Sequence, residues 1–401
     1  MKVMILSSLA YSLTNFRGAL LEEMVRNGHV VVAGAPDRDA QVEQKLEAMG
    51  VAYRCTPMAR TGTNPLEDIL TLFRYARLMY RERPDVVLAY TQKPIIYGGL
   101  ATRIYGRANY YALMTGLGYV FSPEASSRNL FRKLVSLIYR EGVRKAKAIF
   151  VFNRDDRNDM LDAGIIDPDD TVIQVPGSGV DTDHFAEQPL PTGPLTFLMV
   201  GRLMRDKGVY EFVEAARHIK ALHPNCRFRI LGRLEENNPT GISPDECRTW
   251  SEENIVELLP ETRDVRPYLA EANIFVLPSF YREGLPRTIL EAISTGRPII
   301  TTDLPGCREP VENGENGILV PPRDAKALAD AMCTFIDHPE RIAPMAKRSR
   351  EIAVSRYDVN LVNDILLGHM GLKGSNKGTP ALEKAQRSPP VHFDKAMPER
   401  I

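Results

Sequence analysis

The chain opens with a short apolar run from Lys2 to Leu6, passes through polar residues from Ser7 to Asn15, and takes up helical spacing from Phe16 to Arg26. Asn27-Gly28 stops that helix, and the apolar run VVVAGA begins at Val30. The alternation goes on. Helical periodicity from Leu66 to Arg83 leads to a strand at Val86 to Ala89, and a helix from Ile96 to Tyr105 leads to strands at Tyr110 to Leu113 and Ala148 to Phe152. Uninterrupted apolar strands separated by helices predict a parallel sheet covered on both faces. From Pro176 to Pro194 the chain turns rich in Pro, Gly and Asp and loses periodicity, which marks a connector. A second series then follows: strand Leu195 to Val200, helix Tyr210 to Leu222, strands Arg227 to Leu231 and Ile274 to Leu277, helix Pro286 to Ser294 and strand Pro298 to Thr301.

The pattern predicts an α/β protein of two doubly wound, Rossmann-like units, each with its ligand edge at the C-terminal ends of its strands. The first unit is placed at 1–180, the linker at 181–194 and the second unit at 195–354. A closing helix is expected at 355–370, with a return to the first unit. Beyond Met370 the apolar spacing disappears among Gly, Pro, Ser and Lys, so 371–401 is expected to be a disordered tail. A length of 401 residues fits two domains and a tail.

Composition mostly excludes. The 51 basic and 51 acidic side chains cancel, so charge selects no partner and argues against nucleic-acid binding. Five scattered cysteines form no CxxC pair, which suggests a reducing cytoplasm. No histidine pair has metal-ligand spacing. The first apolar run is too short for an export signal, and no run approaches the roughly eighteen residues of a membrane span. Any contact with a membrane, such as its cytoplasmic face, is therefore expected to be peripheral.

Candidate chemistry concentrates in SFYREGLPRTILEAISTGRPIITTDLPGCREP, Ser279 to Pro310. Pro286 suits the first position of a helix, whose free N–H groups and positive end offer an anion site. Glu283 before that helix and Glu291 within it can grip hydroxyls on either side of a bound diphosphate. Solvated charges would be the plain alternative for two glutamates. A second element narrows the choice: Arg202 and Lys207 follow the strand Leu198 to Val200 in GRLMRDKG, where a fork and a point charge can neutralise a leaving diphosphate.

GRLMRDKG, EGLPRTILEAISTGRPIITTDLPGCRE and NGENGILVPP together resemble the C-terminal signature of family 4 retaining glycosyltransferases of the GT-B architecture, including their E-x7-E motif at Glu283 and Glu291. The resemblance is specific from Phe197 to Pro322 and weaker upstream to Met1. It implies that Arg202 and Lys207 bind the donor diphosphate, that Glu283 faces the transferred sugar, and that Glu291 holds the nucleotide ribose. Gly284, Leu285, Pro286 and Arg287 would bind the donor, with backbone amides near Leu285 to Arg287 contacting phosphate and sugar. Gly232, Arg233 and the segment Glu261 to Val265 would seat the base. It also implies retention of configuration with no metal and no other cofactor, the cations and helix amides stabilising the leaving group. Asp181-Thr182-Asp183 has the D-x-D form of metal-holding sites, but it lies in PGSGVDTDHF, where turn use is the better reading.

On the N-terminal side Asn15 and Arg17 at the first helix, Lys93 after another strand, and Thr115 and Gly116 after a third are the candidate acceptor residues. These loops resemble bacterial enzymes that extend lipid-diphosphate-linked oligosaccharides or exopolysaccharide units. No histidine stands between Thr115 and Gly118, where many family members carry one. The segment 128–147 combines Arg132, Lys133, Arg140 and Arg144 with Leu134, Leu137 and Ile138, and either lies on an anionic membrane or covers the core with a solvated face. The expected activity is transfer of a hexose or N-acetylhexosamine from a nucleotide-sugar, by default a UDP-sugar, to a polyprenyl-diphosphate-linked saccharide or other glycan. A GT-B epimerase that turns over donor without acceptor, and a non-catalytic nucleotide-sugar-binding protein, are the alternatives. A dehydrogenase finds no GxGxxG fingerprint.

Overall fold

The computed structural model describes residues 1–59, 64–116, 129–235 and 238–374, with the helical backbone alone at 129–131. The first half runs β1 (Lys2–Leu6), α1 (Ala10–Arg26), β2 (Val30–Ala35), α2 (Ala40–Ala48), β3 (Ala52–Cys55), α3 (Pro65–Glu82), β4 (Val86–Tyr90), α4 (Gln92–Tyr105), β5 (Asn109–Leu113), α5 (Asn129–Val143), β6 (Ala146–Val151), α6 (Arg154–Asp162) and β7 (Val172–Gln174). These strands form one sheet in the order β3-β2-β1-β4-β5-β6-β7, every pair parallel. Val3 sits between Val31 and Val86 in register, and such β-branched stacks fill both faces of the sheet.

The second half runs β8 (Thr196–Val200), a 3-10 turn (Arg205–Lys207), α7 (Val209–Leu222), β9 (Arg227–Leu231), α8 (Pro244–Glu252), β10 (Glu257–Leu259), α9 (Arg266–Ala270), β11 (Ile274–Leu277), α10 (Arg287–Ser294), β12 (Ile299–Thr302), β13 (Gly317–Val320), α11 (Ala325–Asp337), α12 (Ile342–Ile352) and α13 (Val359–Met370). Its sheet has the order β10-β9-β8-β11-β12-β13, again parallel throughout. Strand order reverses between β1 and β4 in one sheet and between β8 and β11 in the other. Those are the two points where a doubly wound sheet opens a crevice.

Several boundaries differ from the sequence expectation. Residues Ser7 to Asn15 are not all loop: α1 starts at Ala10, because the Ala10 N–H donates to the Asp37 carboxylate, 2.9 Å away and far along the chain. Pro286 is the N-cap of α10 and not its first helical residue, since its ψ of 116° is extended. The tail also begins later than 371. Leu372 is fully buried, and its carbonyl accepts from Asn27 Nδ2 (3.2 Å) and lies 2.9 Å from His29 Nε2. The rest of the expected disordered tail, 375–401, lies outside the described residues.

α13 packs on α1, where Val362, Leu366, Leu367 and Met370 join the apolar core of the first sheet. The chain thus crosses between its halves twice, once by the linker and once through a π-helical turn at Ala353–Tyr357. Among the described residues no helix is long and apolar enough to cross a membrane.

Candidate functional site

The two crevices face each other across a cleft that encloses a cavity of about 620 Å³. Arg202, Lys207, Glu283, Gly284, Leu285, Pro286, Arg287 and Glu291 line one wall, and Asn15, Arg17 and Thr115 line the other. Thr262 to Val265 also border the cavity.

Lys207 is aimed by backbone geometry. The 3-10 turn that carries it ends at Gly208, whose φ is +79° and where a Cβ would lie 2.2 Å from the Pro278 carbonyl oxygen. Only glycine lets the turn approach β11 so closely. The Asp206 carbonyl then accepts from the Phe280 and Tyr281 N–H groups, both at 2.9 Å, tying the turn to the loop before α10. Lys207 Nζ pairs with Glu283 Oε1, which also accepts from Ser279 Oγ at 3.0 Å. Arg202 stands exposed at the end of β8.

One turn into α10, Arg287 Nε donates to Glu291 Oε1 at 3.0 Å. The Glu291 side chain is only 12% exposed, so it is no solvated helix charge. Burial pushes its carboxyl up to about 7 despite the Arg287 charge beside it. Arg287 also reaches over the cleft: Nη1 donates to the Asn15 carbonyl, and the guanidinium lies 5.4 Å from the Phe16 ring. Among the described residues no side chain caps α10, which leaves its N-terminal amides to a ligand.

The loop from Arg282 to Arg287 is where the halves meet. The buried Asn153 side chain donates to the Gly284 carbonyl (3.0 Å) and to Asp156 Oδ2 (3.1 Å), while Arg282 pairs with Asp159. Burial pushes Asp156 up to about 7, with Arg282 and Asn153 opposing. A Cβ on Gly284 would lie 2.3 Å from the Thr115 carbonyl oxygen, so Gly116 and Gly284 lie nearly backbone on backbone. Leu285 packs against the apolar cores of both halves.

On the N-terminal wall Arg17 is buried, its guanidinium 5.2 Å from the Tyr90 ring. The Tyr90 hydroxyl lies 2.8 Å from Ser12 Oγ, which lies 2.7 Å from Ser7 Oγ. Thr91, at the rim, has φ +69° and ψ 154°, a conformation rare outside glycine that is stored at a strand end facing the cavity.

Four of the expected site residues point elsewhere. Lys93 does not line the cavity, because Asp68 on α3 holds its ammonium at 2.8 Å. Gly116 touches the other half through its backbone and not the cavity. Gly232 lies under the Gly201 carbonyl, where a Cβ would sit 1.7 Å away, and Arg233 turns to Glu235 at 2.7 Å. Of the segment Thr115 to Gly118, residues 117 and 118 lie outside the described residues, as does 128 at the head of the basic segment. Asp181 uses its carboxylate as a turn cap, accepting from the Asp183 and His184 N–H groups at 3.1 and 2.8 Å. Among the described residues no three His, Cys, Asp or Glu side chains gather as a metal site.

Asn153, Tyr90, Ser12 and Phe16 were not singled out from sequence. Asn153 alone carried a signal, an N-cap residue followed three positions later by Asp156 at a strand end.

The family described as "Glycosyl transferase 4-like domain" matches residues 15–176, and "Glycosyl transferases group 1" matches residues 194–338. The N,N'-diacetylbacillosaminyl-diphospho-undecaprenol alpha-1,3-N-acetylgalactosaminyltransferase of Campylobacter jejuni is 24% identical over 377 residues, 90% of this chain and 96% of that one. The UDP-Gal:alpha-D-GlcNAc-diphosphoundecaprenol alpha-1,3-galactosyltransferase of Escherichia coli is 27% identical over 311 residues, 73% and 77% of the two chains. The crystal structure of Anabaena HepE in complex with UDP superposes with a TM-score of 0.74 at 19% identity, over 92% of this chain and 100% of that one. With a glycosyltransferase model matching each half and the two-sheet frame shared over 92% of its length, the chain belongs to the family 4 glycosyltransferases of GT-B fold.

Proposed function

We propose that this glycosyltransferase moves a hexose or N-acetylhexosamine from a UDP-sugar to a lipid-diphosphate-linked saccharide, with retention of configuration and without a metal. The observation that carries the reading is the junction of Arg202, Lys207 and the uncapped α10 N-terminus in one cavity with the buried Glu291. That set matches a nucleoside diphosphate: cations and amides for the phosphates, a carboxyl for sugar hydroxyls. In the reaction the bond from the sugar C1 to the phosphate oxygen breaks while a bond to the acceptor hydroxyl oxygen forms on the same face. The acceptor proton passes to the departing phosphate, whose growing charge Arg202, Lys207 and the helix amides stabilise. The two relatives from Campylobacter jejuni and Escherichia coli, which carry diphospho-undecaprenol acceptors in their names, support the acceptor class.

The acceptor lipid implies an anionic membrane at the N-terminal half. α3 supports this, since Leu66, Ile69, Leu70 and Phe73 stand exposed at helical spacing on one face. α5 adds exposed Leu134 and Leu137, but its Arg140 is paired with Asp167, and Arg144 just beyond its end is paired with Glu141. The apolar edge of α3 is therefore the stronger docking element.

A thermal-shift and turnover screen of UDP- and GDP-sugars, with and without EDTA, tests the donor and the metal together. Stabilisation and turnover by UDP-sugars that EDTA leaves unchanged is the expected result. Loss of turnover in EDTA that added divalent metal restores would overturn the metal-free mechanism. Donor turnover with no transfer to any glycan would instead favour an epimerase.

A further inference from the structure

Two buried arginines of this chain live in opposite circumstances. Arg297 is fully buried, and its guanidinium donates to five carbonyls, those of Leu269, Gln188, Gly296, Pro189 and Ala270, at 2.8 to 3.2 Å. It is a structural staple with its donors used. Arg17 is 2% exposed, yet among the described residues its one hydrogen bond is a long one, 3.4 Å, to the carbonyl of its own neighbour Phe16. Its Nε is buried with no acceptor, and among the described residues no carboxylate lies within ion-pair distance. Burial pushes it down to about 10, and the charge of nearby Arg287 adds to the effect while Tyr90 opposes it. Arg287 has Glu291 for a partner, whereas among the described residues Arg17 has no carboxylate beside it and lies against the Tyr90 ring.

A guanidinium withdrawn from water without a counterion carries an uncompensated desolvation cost, which an anion bound against it would offset. Its planar fork of N–H donors suits two oxygens of one phosphate. We infer that Arg17 is a phosphate-binding residue contributed by the N-terminal half, and that its ligand is a phosphate of the acceptor's diphosphate. The assignment of source rests on the proposed acceptor class. The phosphate chemistry does not, because it follows from the unpartnered cation alone. The donor diphosphate has Arg202, Lys207 and the α10 amides on the facing wall, which leaves the cation on the acceptor wall for a second phosphate.

The test uses the full chain and calorimetric titration of two probes: UDP into the free protein, and inorganic pyrophosphate into the UDP-saturated protein. Arg17→Met keeps most of the side-chain volume and removes the charge. Pyrophosphate affinity is expected to fall about ten- to a hundredfold, the worth of a charged hydrogen bond or two, with UDP affinity little changed. The ligand-free variant should melt at the wild-type temperature or above, since a lone buried charge has been removed. A purely structural arginine would give the reverse, a lower melting temperature with unchanged affinities, and that result overturns the inference. If UDP affinity falls and pyrophosphate affinity does not, phosphate binding stands but its source is the donor. Arg17→Lys, which keeps a point charge, should recover part of the lost affinity and serves if the methionine variant does not fold. A wild-type protein that binds pyrophosphate but not UDP would sink the donor reading and leave Arg17 standing. One that binds neither probe overturns Arg17 as well.

Discussion

On the donor wall of the cleft Lys207 is paired with Glu283 and Arg287 with Glu291, whereas on the acceptor wall, among the described residues, Arg17 has no ion-pair partner. The difference is one of readiness. That wall holds Lys207 and Arg287 in place by pairing them, and under the proposed function a nucleotide-sugar would exchange those pairs for its own oxygens. The acceptor wall keeps a cation desolvated, with a ring beneath it and no salt bridge to break. A paired site is rigid and selective, and an unpaired one is costly until filled.

The comparison can be broken most decisively at Lys207. Lys207→Ala is expected to slow transfer roughly a hundred- to a thousandfold, because the leaving diphosphate loses a preplaced charge. Initial rates with a UDP-sugar donor measure it, and a variant that keeps a third of wild-type activity would remove Lys207 from the chemistry. Gly284→Ala comes next. Its Cβ would press on the Thr115 carbonyl, the two walls would part, and rates should fall roughly a hundredfold from misplacement alone. Circular dichroism should show both sheets intact. Asn153→Ala leaves the buried Gly284 carbonyl without its donor and is expected to cost about 1–3 kcal/mol, read as a lower melting temperature.

A fourth outcome concerns pH. Burial pushes Glu291 and Asp156 up to about 7 and Glu309 up to about 6, so the folded chain holds protons that the unfolded chain has released. That added stability is complete below the ordinary carboxylate range and is lost as pH rises toward 7. The melting temperature should therefore drop between about pH 5 and about pH 8, and Glu291→Gln should flatten the drop. The smallest effect is expected at Phe73→Ser on α3, within about 0.5 kcal/mol in stability, while cosedimentation with anionic vesicles weakens. Unchanged cosedimentation would remove α3 from the docking face.

The two walls also differ in how far the sequence discloses them. The donor wall is compressed into one stretch, strand, loop and helix from Ile274 to Ser294, plus the turn after β8. Its residue types and spacing can be read locally. The acceptor wall draws Arg17, Tyr90, Thr115 and Asn153 from four separate elements, and nothing near any of them announces the others. The same physics governs the fold. Long buried strands such as β1, β4 and β8 stand out as apolar runs, while β3, β7 and β10 are three or four residues long and half exposed, so no run marks them. The start of α1 depends on Asp37, which spacing within the helix cannot show. Lys93, Gly232 and Arg233 sit after strands as site residues should, but Asp68 and Glu235 hold the two cations and the Gly232 backbone is packed under the Gly201 carbonyl.

The two crossings between the halves do not merely run side by side. Val180 N–H donates to the Tyr357 carbonyl at 2.8 Å, the Val359 N–H donates to the Val180 carbonyl at 2.9 Å, and Thr182 Oγ1 donates to Asp358. A single covalent crossing would be a tether, free to twist and slide. Two crossings laced together act as a pin that fixes the halves along one seam. At the Gly284 loop the same halves are fastened a second time, through Asn153 and Thr115, as a latch fastens a door. Cutting the chain before Val359 would remove the pin and strip Val362, Leu366 and Leu367 from the core of the first sheet, so the seam and the stability of the N-terminal half are one structural unit.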